Sequence, residues 1–184
     1  SSRLSVTAGF RKVSLSPGHD PTDPSIEQRA RTGAFPVPYG FNREYLAPYT
    51  RLLATLDTRP PDRVWSSGVR LELQGEQGTD VRVSPAASWI RWGATATGFL
   101  DLNDHARVVS LSVATLFLEP IDDAPVPFTE LVSLGGDKWM HGYFPGRFVG
   151  QSAAVTQLQY TWPIGPWLGG TLQARAQLVQ RVEL

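Results

Sequence analysis

The sequence predicts an all-β chain, an antiparallel transmembrane β-barrel, complete or partial, of about seven to eight strands with long extracellular loops. Two observations carry that expectation. Segments of roughly 10 residues alternate apolar and polar side chains, the length a tilted membrane-crossing strand needs. On several of them the polar face holds Gln and Arg while the apolar face holds Leu, Tyr and Trp, a pattern suited to lipid outside and water inside. The 184 residues suffice for one domain spanning 1–184, read as a fragment of a larger barrel protein.

The first strand is expected over Leu4 to Leu15, where Leu4, Val6, Ala8 and Phe10 alternate with Ser5, Thr7, Gly9 and Arg11. Pro17 to Glu44 contains five prolines and no periodicity, which suits a long barrel loop better than a compact soluble core. Tyr49 to Thr58 forms the second strand, with Leu52, Ala54 and Leu56 on one face. DTRPPD, Asp57 to Asp62, ends it, because paired prolines cannot continue a ladder. Gly68 to Gly75 is the third strand, and GEQGTD, Gly75 to Asp80, reads as a turn.

Ser88 to Leu102 places Ile90, Trp92, Ala94 and Leu100 opposite Arg91, Thr95 and Thr97. Asn103 to His105 turns the chain into Arg107 to Glu119, where Val109, Leu111, Val113 and Phe117 share a face. Pro120 to Pro127 is a connection rich in Pro and Asp. A Gly-punctuated loop from Leu134 to Gly150 then carries Trp139, His141, Tyr143, Phe144, Arg147 and Phe148. The next strand sets Thr156, Leu158, Tyr160 and Trp162 against Val155, Gln157, Gln159 and Thr161. Ile164 to Trp167 is a short turn into Leu168 to Val179, with Gln173, Arg175 and Gln177 on the polar side. Trp162 and Trp167 flank that turn, where an aromatic girdle at a lipid–water boundary belongs.

Composition narrows the function. The 17 basic and 17 acidic residues cancel, which leaves no electrostatic footprint for nucleic acid. Catalysis finds little footing: His19, His105 and His141 lie in separate loops, and no HExxH, GxSxG or P-loop pattern occurs. Asp122 with Asp123, and Asp20 with Asp23, read as solvated turns, because oxygen-ligated cations need more donors. No enzyme, cofactor or metal is expected. There is no cysteine, so thiolate sites are excluded.

At DTRP, GVRLELQGEQGTDVR, LGGDKWMHGYFPGRF and LQYTWP the chain resembles the barrel of the bacterial surface-antigen family, the BamA/TamA-type superfamily of outer-membrane assembly and translocation proteins. Asp57 and Arg59 match its Asp-x-Arg strand-end motif. Leu134, Gly135, Gly136, Gly142, Tyr143, Gly146, Arg147 and Phe148 follow its loop signature in order and spacing. The resemblance covers roughly 47–178. It implies that the loop folds into the lumen, with His141, Gly142, Tyr143, Gly146, Arg147 and Phe148 as its motif and Gln159 as the inner-wall partner. His141 stands where the family has Arg, and Gln159 where it has Glu, so a neutral pair replaces an ionic one. By the same resemblance the expected work is non-enzymatic. It is insertion or translocation of polypeptides at the bacterial outer membrane, with lipid, client polypeptides and accessory assembly proteins as partners. A gated pore and a soluble all-β ligand-binding module are the competing expectations.

Overall fold

The computed structural model describes residues 1–15, 26–33, 37–41, 43–63, 65–103, 107–134, 146, 148–165 and 168–180. Its main feature is one antiparallel sheet of seven long strands. In chain order these are β1 (Ser2–Val13), β2 (Tyr45–Asp57), β3 (Gly68–Asp80), β4 (Ala87–Asp101), β5 (Val108–Pro120), β8 (Ser152–Gly165) and β9 (Leu168–Gln180). Between β5 and β8 lies a second, two-stranded sheet, β6 (Val132–Leu134) with β7 (Phe148–Gly150). Each long strand pairs with its sequence neighbour in the sheet, as alternating runs joined by turns do most readily. The sheet is open, with β1 at one edge and β9 at the other.

Strand parity sorts the side chains into two faces. Leu56, Leu71, Ala96, Val113 and Thr156 follow one another across β2, β3, β4, β5 and β8, and Leu4, Val6, Leu73, Leu111 and Leu158 belong to the same face. Among the described residues nothing packs over that outer face: Leu4 is 70 % exposed, Leu73 60 % and Leu172 66 %. The inner face differs. Tyr45, Ala47, Trp89, Leu118, Ala153 and Val155, all near one end of their strands, form a core with Val132 and Leu134 of β6. Phe148 of β7 packs against that core, so the β6–β7 hairpin lies on the inner face.

Several boundaries differ from the expected ones. Gly75 to Asp80 is not a turn; it continues β3 and pairs with β4 as far as Asp80 with Ala87. The reason is steric. Gly78 pairs with Trp89, and a β-carbon at Gly78 would come within 2.8 Å of that indole, so the glycine makes room for a ring rather than a bend. β2 begins at Tyr45 instead of Tyr49. Its Pro48 pairs with Phe10 of β1 and lies just beyond the β2–β3 ladder, where a missing N–H costs no bond to β3. Within the segment read as irregular, Ile26–Arg31 forms a short α-helix, α1. A 3₁₀ turn, Phe128–Glu130, follows the Pro-rich connection. No helix among the described residues is long and apolar enough to cross a membrane, which says nothing of strands.

The connections are uneven at the two ends. One end carries the long links, from Val13 to Tyr45 and from Pro120 to Ser152. The opposite end carries the β4–β5 and β8–β9 turns and the Asp57–Gly68 link. The core and its covering hairpin sit at the long-link end.

Candidate inner-wall ion-pair site

Beneath the hairpin the inner face holds an ionic network. Arg51, Glu76 and Arg91 are direct cross-strand neighbours on β2, β3 and β4. Arg51 Nε donates to Glu76 Oε2 at 2.7 Å, and Arg91 Nη1 donates to Oε1 at 3.1 Å. Arg11, reaching in from the edge strand β1, donates to the same Oε1 at 3.1 Å and lies over the Tyr49 ring. Glu76 is only 4 % exposed, and a carboxylate so placed needs this many donors to remain charged.

The second carboxylate comes from the loop. Glu130, at the end of the 3₁₀ turn, is 1 % exposed. Arg11 Nη1 and Arg91 Nη2 both donate to its Oε2, the latter at 3.1 Å, and Arg91 also donates to the Glu130 carbonyl. Tyr45 donates its hydroxyl to Oε1 at 2.5 Å and lies 2.7 Å from Thr129 Oγ1. One acidic side chain of the β5–β6 connection is thereby tied to β1, β2 and β4 at once. Charge-assisted bonds of this kind hold a loop against a wall more firmly than neutral ones.

The residues singled out from sequence are spread over three places. Asp57 and Arg59 pair at the end of β2: Arg59 Nη2 lies 2.8 Å from Asp57 Oδ2, and its Nε and backbone N–H both donate to Oδ1. The Arg59 guanidinium stacks on Phe99 at 3.7 Å, so the motif closes the strand end by stacking as well as charge. Gln159 lies on the inner face, where its amide bonds along its own strand, accepting from Gln157 and donating to Thr161. Trp162 lies on the outer face, stacked on Tyr160 at 5.3 Å with Gly170 beneath its ring. Of the loop motif, Gly146 adopts φ +78°, a left-handed turn conformation that favours glycine, and Phe148 starts β7. His141, Gly142, Tyr143, Arg147 and Trp167 lie outside the described residues.

Sequence reading had placed Arg91 on a polar face and overlooked Arg11, Arg51, Glu76 and Glu130 as a group. Glu76 was hidden in an apparent turn. Its parity with Glu72 and Gln74 was the available signal. Glu130 sits in PFTEL, which has no period, and nothing local marks it as buried.

At the rim, Glu44 bridges Lys12 and Arg82, at 2.6 and 2.7 Å. Their hydrogen bonds hold its carboxyl below the ordinary carboxylate range. Among the described residues no group of three or more His, Asp or Glu could hold a metal ion. Compared with family models, curated proteins and solved structures, the chain matches none of them.

Proposed function

We propose that this chain is part of a bacterial outer-membrane β-barrel related to the BamA/TamA-type proteins, with a non-enzymatic role in inserting polypeptides into the membrane or moving them across it. The observation that carries the reading is the contrast between the two faces. A continuous Leu, Val and Trp surface across seven strands lies uncovered, while the opposite face holds buried charges and an inward-folded connection. An apolar surface of that extent on a water-soluble protein would be an association site. Lipid accounts for all of it at once.

Two further features support a barrel. Outward-facing aromatics fall in two belts. Trp92 stacks on Phe117 at 4.4 Å near one end, and Tyr160 stacks on Trp162 near the other. Along β5 the belts are separated by the eight residues from Phe117 to Val109, the partners of Trp92 and Tyr160. That is about 27 Å of strand, or roughly 20 Å of height at a tilt of ~40°, near the apolar thickness of an outer-membrane barrel. The long connections gather at one end and most of the short ones at the other, as in such barrels.

Parity constrains the closed form. With seven strands, β1 and β9 run in the same direction, so antiparallel closure takes an odd number of additional strands. An eight-stranded barrel is filled by its own side chains, leaving no room for the β6–β7 hairpin. Closure around that hairpin therefore takes at least three more strands. In this reading the Glu130 connection and the hairpin steady the lumen, and the open β1 and β9 edges are where the rest of the wall joins.

The test is reconstitution. The chain, with the remainder of its parent protein, goes into lipid vesicles, and the rate at which an unfolded outer-membrane polypeptide inserts is compared with that in empty vesicles. Faster insertion supports the reading. Extraction without detergent as a stable monomer, with no heat-modifiable gel mobility, defeats it. Conductance steps without any effect on insertion would favour the gated-pore alternative.

A further inference from the structure

Between the inner wall and the β5–β6 connection lies a cavity of about 330 Å³ lined by Arg51, Gln74, Glu76, Arg91, Thr129 and Ser133 among others. That volume is room for on the order of ten waters. The charges around it do not cancel. Among the described residues, three guanidiniums (Arg11, Arg51, Arg91) face two carboxylates (Glu76, Glu130), leaving one positive charge in surplus.

Every carboxylate oxygen is also engaged. Glu76 Oε1 takes Arg11 and Arg91, and its Oε2 takes Arg51. Glu130 Oε1 takes Tyr45, and its Oε2 takes Arg11 and Arg91. Arg51 is 50 % exposed and, among the described residues, hydrogen-bonds to Glu76 alone. Gln74 and Ser133, both on the cavity wall, make no side-chain hydrogen bond among the described residues. Donors on Arg51, Gln74 and Ser133 thus remain beside carboxylate oxygens that are already engaged, around a space whose described charged residues sum to a net positive charge.

We propose that this cavity is a binding subsite for a small tetrahedral oxyanion of the phosphate type. Arg51 supplies the main charged contact, Arg91 the field from the far side of Glu76 on the same wall, and the Gln74 amide and Ser133 hydroxyl the remaining hydrogen bonds. The bound anion balances the surplus charge and joins the β2–β3–β4 wall to the start of β6. The proposal does not depend on the membrane reading, since it concerns one face of the folded sheet.

Titration calorimetry of the full chain with inorganic phosphate tests it, in detergent at constant ionic strength, with sodium chloride as the control anion. Saturable binding at one site is expected for phosphate and none for chloride. Arg51→Met raises Kd by about 10-fold or more, the size of a lost charge-assisted bond, and Arg51→Lys by less. Gln74→Leu raises it several-fold and serves as the deciding variant if Arg51→Met does not fold. Glu72→Gln, whose partner Arg70 lies outside the cavity, leaves it unchanged. Equal heats for chloride and phosphate, or wild-type affinity in Gln74→Leu and every folded Arg51 variant, would overturn the proposal.

Discussion

Arg11 on the edge strand β1 donates to the carboxylate of Glu130, 119 residues further along the chain, and the two meet against the inner wall. Edge strands are the part of a sheet with fewest partners. Here β1 gains a second attachment, through the interior, to a connection that β4 and β2 also hold.

Glu130→Gln is therefore expected to destabilise the fold by about 3 kcal/mol, because it leaves Arg11 and Arg91 without half of their counter-charge in a poorly solvated place. Glu72→Gln breaks the more exposed pair with Arg70 and is expected to cost less than about 1 kcal/mol. Urea unfolding midpoints of the two variants, measured in the same lipid or detergent, check the ordering. Hydrogen exchange should quicken at 127–134 and in β1 for Glu130→Gln alone.

An arginine on the outer face separates lipid from water as the neighbour of that surface. If that neighbour is lipid, Leu73→Arg and Leu111→Arg are each expected to cost about 2–4 kcal/mol and to slow folding into vesicles. Gln157→Arg, on the inner face, is expected to be tolerated. Folding yields into vesicles read the difference. Outer-face arginines that instead improve solubility and leave stability unchanged would count against the membrane reading.

Two glycines of β3 make a matched pair. Gly78→Ala drives a methyl group into the Trp89 ring and is expected to cost about 1–3 kcal/mol. Gly75→Ala meets nothing within 4 Å and is expected to be neutral or mildly stabilising, since a strand interior disfavours glycine. Trp89 fluorescence and unfolding midpoints distinguish the two.

The Glu44 bridge to Lys12 and Arg82 carries a pH dependence of known sign. The carboxyl is held below 4.5 in the folded chain, so its contribution is fully present above about that pH. It is lost as pH falls through the lowered folded value. Glu44→Gln should flatten that part of the stability profile, below about pH 4.5, and added salt should do the same because the group is exposed. Unfolding midpoints across that range, with and without the substitution, provide the measurement.

The sequence by itself determined most of the long strands and their two faces. Period-two alternation is local, so the face a side chain takes can be read without knowing the partner strand. Leu4 with Val6 and Leu111 with Val113 needed no tertiary information to be placed on one face, nor did Gln157 with Gln159 on the other. Only the tertiary structure decided what fills the inner face. Glu76 looked like turn chemistry until Trp89 was seen above Gly78, and Glu130 looked like loop until Arg11, Arg91 and Tyr45 surrounded it. Ionic partners drawn from five different segments leave no periodic trace along the chain, because a charge–charge bond depends on distance in space and on shielding from water, neither of which a one-dimensional pattern records.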